Sequence, residues 1–434
     1  MQYFQIFDTD MYELSMTTSG IFNGDAEDIV SFECYFRHPK PIFGSSPYYF
    51  SGREKIIQLM ENVKKELQDP KIGETFLELI KHKIPVDKMS EFETKIADFF
   101  KNCNKSFEYS VYPEGEVLDP YVPAVQVRGP KFIGMLLETH VMATVNGPTG
   151  LETQKRIGHF KNIDLLETLV LSEDPINENS LSEYFEQMSV QARCYREASI
   201  DKTLLDASFR RSPSVQVAME ATNIAMDNGY DGSANCGAAM RGMTPIEKIN
   251  GTQAHLNIMS QAYLGENHEI ESFRKWDNVW QHSTMLVDTY DTEKSVKMLI
   301  ENNIKPMMVR IDSSPLDKLS FQVRKIFDDA GGNDVGIFIS GDLTPSIISR
   351  YIAAGVPFDA LMSGTKMVGV GIGEYVNSGF VYKVVEVEKN GAKYYPEKKA
   401  NGKGSISGLK KVWRENGKVA VDNRPKDGEW GIFL

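Results

Sequence analysis

The sequence predicts an α/β chain in two parts: a parallel sheet of strand–loop–helix units, preceded by a smaller α+β unit to which the C-terminus returns. Three observations carry this. Four apolar runs, Ser283–Val287, Met307–Ile311, Gly336–Ile339 and Ala360–Met362, each end in a polar loop with Asp, Ser or Thr and lead into a helical pattern. Such a loop caps the helix that follows, so the repeated unit implies a parallel sheet, closed as a barrel or doubly wound. The opening third instead mixes helical and alternating patterns, and the tail VYKVVEVEKNGAKYY reads as a hairpin about Asn390-Gly391.

Taken in order, a helix is expected from Asp10 to Phe22, then an apolar strand from Ile29 to Phe36 and the turn-rich stretch PKPIFGSSP. Helical periodicity covers Glu54–Leu67 and Lys71–Ile80, and strands are expected at Phe107–Tyr112 and Ala124–Val127 around the turn Pro113-Glu-Gly115. From about residue 130 long helices alternate with short apolar runs, including helices at Ser214–Asn228 and Thr252–Tyr263. The domain boundaries that follow are 1–129 for the N-terminal α+β unit, 130–380 for the βα unit, and 381–434 for a segment packing back on the first.

Length and composition allow two cores, with 434 residues, 41% of them hydrophobic and 25% charged. The net charge of -12 repels a phosphate backbone and argues against nucleic acid as a partner. Cys34, Cys103, Cys194 and Cys236 are widely spaced without a CxxC pair, so they are expected as reduced, buried thiols rather than disulfides or zinc ligands. The start MQYFQIFDTDMYEL is acidic where a secretion signal is basic, and no apolar run reaches membrane-spanning length. A cytoplasmic protein with no membrane association is expected.

The strand-end loops bring Asp288-Thr-Tyr-Asp291, Arg310-Ile-Asp312-Ser313, Ser340-Gly341-Asp342 and Ser363-Gly364-Thr365 to the ligand face of a parallel sheet. An isolated Asp in such a loop is most often only a helix cap. Repeated at successive strand ends, however, these residues suit a sugar phosphate: carboxylates accept from hydroxyls, and the backbone N–H groups of Gly364 and Thr365 can hold phosphate oxygens. Arg210 and Arg211, preceded by Phe209, form a paired cation for phosphate or carboxylate. His255 follows Asn250-Gly-Thr-Gln-Ala, where an imidazole can serve as nucleophile or proton carrier, although a lone histidine is more often structural. There is no HExxH and no GxSxG, which sets aside a His-based metal site and a serine hydrolase.

As an ordered set, these segments resemble the nicotinate phosphoribosyltransferase family from Asp8 to about Arg414. The matching segments are Asp8-Thr-Asp-Met-Tyr12-Glu-Leu, Phe32 to Arg37 with Gly52, Pro113-Glu-Gly115, Leu136-Leu-Glu138-Thr139, Gly251-Thr-Gln-Ala-His255, and the four strand-end loops. The resemblance implies an irregular α/β barrel of the type II phosphoribosyltransferases, with an N-terminal α/β domain completed by the C-terminus, assembled as a homodimer with shared active sites. It further implies transfer of phosphoribose from phosphoribosyl pyrophosphate to nicotinate, assisted by Mg²⁺ and coupled to ATP hydrolysis through a phosphorylated His255. On the same basis Arg310, Asp312 and Ser313 would face base or ribose, Gly341 and Asp342 the ribose hydroxyls, and Gly364 and Thr365 the 5′-phosphate. Arg210 and Arg211 would face pyrophosphate or the base carboxylate, and Tyr12 would enter from the neighbouring subunit.

Two stretches depart from the family pattern. Where the family writes Glu-Phe-Gly-x-Arg-Arg, this chain has Asp206-Ala207-Ser208-Phe209-Arg210-Arg211. An aromatic contact of about 0.5–1.5 kcal/mol is thereby lost, and Phe209 is the expected replacement. Ser314-Pro315 stands where the family has Gly-Asp. These changes keep open transfer to another base such as nicotinamide, or a catalytically silent nucleotide-binding homologue.

Overall fold

The computed structural model describes residues 1–171, 178–397, 405–415 and 418–422, so the remainder of the expected C-terminal return, including 423–434, lies outside the described residues. The first helix, α1 (Met11–Asn23), starts one residue after the expected Asp10, and β1 (Ile29–Tyr35) follows it. Helices α2 (Arg53–Glu66), α3 (Ile72–Ile80) and α4 (Met89–Asn102) come next, then β2 (Glu108–Val111) and β3 (Val125–Pro130). The 27-residue α5 (Lys131–Ile157) begins directly after β3 and runs buried through the molecule. Its small residues admit neighbouring backbone: a Cβ on Gly147 would collide with the Pro213 carbonyl, and one on Gly150 with that of Val376.

Beyond α6 (Ile163–Leu171) and α7 (Glu178–Ser199) come β4 (Thr203–Asp206), α8 (Val215–Asp227), β5 (Gly232–Ser233), the short α9 (His255–Met259) and α10 (His268–Val279). The four expected units follow as β6 (Thr284–Leu286) with α11 (Thr292–Glu301), β7 (Met308–Ile311) with α12 (Leu316–Asp329), β8 (Gly336–Ile339) with α13 (Pro345–Ala353), and β9 (Ala360–Ser363) with a single turn at Thr365–Val368. Asp291 and Thr344 cap their helices by accepting from Lys294 N and Ile347 N. All of these strands pair in parallel, in the order β5-β4-β9-β8-β7-β6. Because β6 to β9 lie side by side in chain order and β4–β5 are added next to β9, the sheet curls as an open half-barrel and is not doubly wound.

A second, antiparallel sheet has the order β11-β10-β1-β3-β2, where β10 is Val381–Lys389 and β11 is Ala392–Tyr394. The connecting turn is at Asn390 and Gly391, both at positive φ, as a tight hairpin requires. β10 pairs with β1 from Ile29↔Glu388 to Tyr35↔Val381. Lys410 adds a further tie, since its ammonium pairs with the fully buried Glu33, whose Oε1 also accepts from Lys410 N at 2.8 Å and Gln126 Nε2 at 2.9 Å. Breaking a buried, hydrogen-bonded ion pair strands a charge, at a cost of about 3–5 kcal/mol. The tail is therefore bound firmly to the first strand.

One element differs from expectation. The helix read at Thr252–Tyr263 is extended through Ala254, helical only over His255–Met259, and continues as a 3₁₀ stretch at Ala262–Asn267. The backbone is held extended from outside: His82 Nε2 lies 2.9 Å from the Ile249 carbonyl, Lys83 Nζ donates to Gly251 O at 3.4 Å, and Arg310 Nη1 donates to Thr252 Oγ1 at 2.7 Å. Gly251 packs so closely on the backbone of Met11 and Tyr12 that a Cβ would collide with it. No helix among the described residues is long and apolar enough to cross a membrane.

Candidate active site

Alternate residues of the parallel strands point into the half-barrel: Thr203, Leu205 and Ala207 along β4 and just beyond it, Ala360 and Met362 on β9, and Met308, Arg310 and Asp312 along β7. Most TIM barrels fill this space with bulky branched side chains. Small residues at Thr203, Ala207, Thr284 and Ala360 instead leave a cavity of about 610 Å³, a size suited to a small-molecule ligand. Of the residues expected at the site, Tyr12, Arg210, Arg211, His255, Arg310 and Asp312 line this one cavity.

Arg310 is 8% exposed and lines the cavity. Beyond its bond to Thr252, its Nε is buried without a partner, leaving a guanidinium donor unspent. Burial also pulls its pKa down, which shows how costly this charge is without an anion. Phe338 pairs with Arg310 across β8–β7 and faces the same cavity.

Asp312 lies one inward position further along. Its Oδ1 accepts from Ser340 Oγ at 2.8 Å, and its backbone N–H donates to Asp288 Oδ2 at 2.8 Å. His255 Nε2 lies 3.6 Å from Asp312 Oδ2 and 4.0 Å from Asp288 Oδ1, while Nδ1 is 3.1 Å from Thr289 Oγ1. Two carboxylates and a hydroxyl therefore orient the imidazole. Ser313 Oγ is buried without a partner, close to this cluster in the chain.

Also lining the cavity, Arg210 Nη1 donates to Glu138 Oε1 at 3.3 Å, and its guanidinium carbon lies 6.0 Å from the Tyr12 ring centre. Arg211 donates to the Phe380 carbonyl at 2.6 Å, and burial, followed by the neighbouring Arg210, pushes its pKa down to about 10. Asp342 and Gly341 are exposed on the loop after β8, and Gly364 and Thr365 are half-buried after β9, where Gly364 approaches Ala207 O. Asp342 acts electrostatically on both Arg211 and Lys40, and Lys366 is also felt by Lys40. Arg211 and Lys40 are thus close enough to act on each other and on Asp342.

One expectation is corrected. Phe209 does not line the cavity: the 3₁₀ turn Phe209–Arg211 aims Arg210 inward and buries Phe209, 1% exposed, against Ala143, Ala218, Met219 and Ala238. Within its own chain Tyr12 lines the cavity beside Arg210. Phe338, Lys83, Arg37 and Lys40 were missed by the sequence reading. Phe338 could have been found from the strand alternation, which places it level with Arg310, whereas Lys83 lies outside every strand-end loop and gave no signal. Burial moves Lys83 down to about 8.

A protein-only cation cage is not built into this site: among the described residues no group of three or more His, Cys, Asp or Glu can hold a metal. Asp312 and Asp342 bring carboxylate oxygens, the donor type a hard cation such as Mg²⁺ takes alongside phosphate oxygens.

Residues 7–146 match the family described as nicotinate phosphoribosyltransferase (NAPRTase) N-terminal domain. A nicotinate phosphoribosyltransferase of Bacillus subtilis is 26% identical over 94% of this chain and 72% of its own length. One of Mycobacterium tuberculosis is 24% identical over 97% of this chain and 78% of its own. In fold, the crystal structure of nicotinate phosphoribosyltransferase from Porphyromonas gingivalis superimposes with a TM-score of 0.67 at 17% identity, covering 93% of this chain and 96% of that one. The chain thus carries a nicotinate phosphoribosyltransferase N-terminal domain over residues 7–146 and is similar to these enzymes in sequence over nearly its whole length.

Proposed function

We propose that the protein is a nicotinate phosphoribosyltransferase of NAD biosynthesis and salvage, forming nicotinate mononucleotide and pyrophosphate from nicotinate and phosphoribosyl pyrophosphate. The observation that carries this is the set of charges lining one cavity: Arg310 with an unspent donor, Asp312, and the pair Arg210 and Arg211. That set suits a substrate pair whose base bears a carboxylate, whose C1 becomes cationic, and whose leaving group is a polyanion.

In the reaction, the Arg310 guanidinium holds the nicotinate carboxylate and Phe338 flanks the ring. The ring nitrogen forms its bond to C1 as the C1–O bond to pyrophosphate breaks. Asp312 steadies the positive charge that develops on the ribose, with Ser340 fixing its carboxylate. Arg210, held by Glu138, and Arg211 receive the departing pyrophosphate, while Gly364 and Thr365 hold the 5′-phosphate and Asp342 the ribose hydroxyls. Mg²⁺, bound with the substrate through phosphate oxygens and a carboxylate of Asp312 or Asp342, would supply charge neutralisation of the pyrophosphate. An amide in place of the carboxylate would leave Arg310 without its counter-charge, so nicotinamide is the poorer base.

The coupling of ATP hydrolysis to transfer through phosphorylated His255 is part of the proposal, supported by the imidazole's orientation between Asp288, Asp312 and Thr289. We also propose a cytoplasmic homodimer, with residues 1–129 and 381–434 forming one unit and 130–380 the other. A second reading, transfer to a different base, rests on Ala207 lining the cavity while Phe209 is buried away from it. Pyrophosphate release measured with nicotinate, nicotinamide and quinolinate separates the two: turnover restricted to quinolinate or nicotinamide would replace the first reading with the second.

A further inference from the structure

Beside Glu138 lies a fully buried carboxyl, Glu13, that the transfer reaction leaves without a task. Glu13 stands in the first turn of α1. That helix meets α5 where Asp10 N donates to Thr139 Oγ1 and Thr139 Oγ1 donates to Asp10 Oδ2, both at 3.2 Å. The neighbouring positions then face each other, and the carboxyls of Glu13 and Glu138 are in hydrogen-bonding contact. Glu138 lines the cavity and holds Arg210 through Oε1, whereas Glu13 forms no part of the cavity wall.

Both oxygens of Glu13 and Oε2 of Glu138 are buried with no donor among the described residues. A buried acceptor without a donor costs about 1–3 kcal/mol, and two carboxylates in contact away from water do not both ionise. One proton between them removes both penalties. No neighbouring hydroxyl substitutes for it, since those of Tyr12 on α1 and Tyr382 on β10 are themselves buried without partners. The other titratable groups acting on the pair are Asp10, Arg210 and Arg211, with the Cys34 thiol on β1. Asp10 has the Thr139 hydrogen bond and, among its neighbours, feels Arg210 most strongly, although burial raises it to about 7. Glu13 has neither advantage: burial, followed by Glu138, pushes its pKa well above the carboxylate range, and Arg210 offsets this only weakly.

We propose that Glu13 is a positioning residue for Arg210: it carries the shared proton and donates it to Glu138 Oε2, so that Glu138 stays an anion with Oε1 turned to the guanidinium. An ionised Glu13 would repel Glu138, and a protonated Glu138 would loosen its hold on Arg210. The consequence for substrate rests on the reading of Arg210 as a pyrophosphate contact; the consequence for Arg210 itself does not.

The test compares the full chain with Glu13→Gln, which keeps a donor, and Glu13→Leu, which fills the space without one. Infrared spectra at neutral pH are expected to show the carbonyl band of a protonated carboxyl that is lost in Glu13→Gln. In NMR with isotope-labelled arginine, assigned through Arg210→Ala, the Arg210 side-chain resonance should hold its place in Glu13→Gln and move in Glu13→Leu. The Kd for pyrophosphate, titrated by calorimetry, should be unchanged in Glu13→Gln and rise about ten-fold in Glu13→Leu, equivalent to about 1.4 kcal/mol. A band that persists in Glu13→Gln, an Arg210 resonance that moves as far in Gln as in Leu, or one indifferent to both would each overturn the proposal. If Glu13→Leu does not fold, the band and the Glu13→Gln resonance still decide. Failure of the unsubstituted protein to bind pyrophosphate would count against the transferase reading instead, because the band and the resonance need no ligand.

Discussion

At the scale of single residues, the proposed reaction pairs the buried charges of the cavity with substrate charges of opposite sign. Arg310 is the clearest case, and Arg310→Ala is expected to weaken nicotinate binding by about 2–5 kcal/mol, read as a rise in KM for the base with a smaller change in KM for phosphoribosyl pyrophosphate. Equal effects on both substrates would remove Arg310 from the base. His255→Ala is expected to abolish ATP hydrolysis while leaving a slower, ATP-independent transfer, because the barrel still positions both substrates; parallel loss of both activities marks a structural histidine. Asp10 makes a prediction about pH. Burial raises its pKa from 3.8 to about 7, so the folded state binds its proton more tightly than the unfolded chain does, and folding stability falls as pH rises between those values. Asp10→Asn should therefore raise Tm at pH 8 and lose that advantage near pH 4; an advantage independent of pH would reject this account of Asp10. These side chains were legible in the sequence to the extent that they occupy strand-end loops. Phe209 was misread because neighbours in a 3₁₀ turn face different ways, a divergence that position in the chain does not reveal.

At the scale of elements, glycine positions and loop anchors decide where the functional groups stand. Gly147 lets the Pro213 carbonyl lie against α5, which seats the turn bearing Arg210 and Arg211. Gly147→Ala is expected to cost about 1–3 kcal/mol of stability by overpacking and to raise KM for phosphoribosyl pyrophosphate. Thermal unfolding and steady-state kinetics check this, and unchanged values in both would contradict the packing. The segment Ile249–Ala254 shows why a sequence reading stops short. Thr252–Ala254 read as the first residues of a helix, yet His82, Lys83 and Arg310, distant in the chain, hold this stretch extended and delay the helix until His255. The four strand–loop–helix units, by contrast, announce themselves through local capping and apolar runs, and each forms where expected.

At the scale of the whole molecule, a parallel half-barrel supplies the site, while the antiparallel sheet of β1, β2, β3, β10 and β11 binds the chain's tail to its head. The choice between a barrel and a doubly wound sheet was not legible in the repeated units, because both share them; it is settled by β4 and β5 joining the edge beside β9. Tyr12 and Arg210 already meet within one chain, so mixing Tyr12→Ala with Arg310→Ala protein should not restore activity. Restoration would establish a site shared between subunits. The most direct test of the central claim is pyrophosphate release from phosphoribosyl pyrophosphate and Mg²⁺ with nicotinate, nicotinamide or quinolinate, each with and without ATP. The account predicts release with nicotinate, stimulated by ATP and lost in Asp312→Ala; no release with nicotinate under either condition would contradict it.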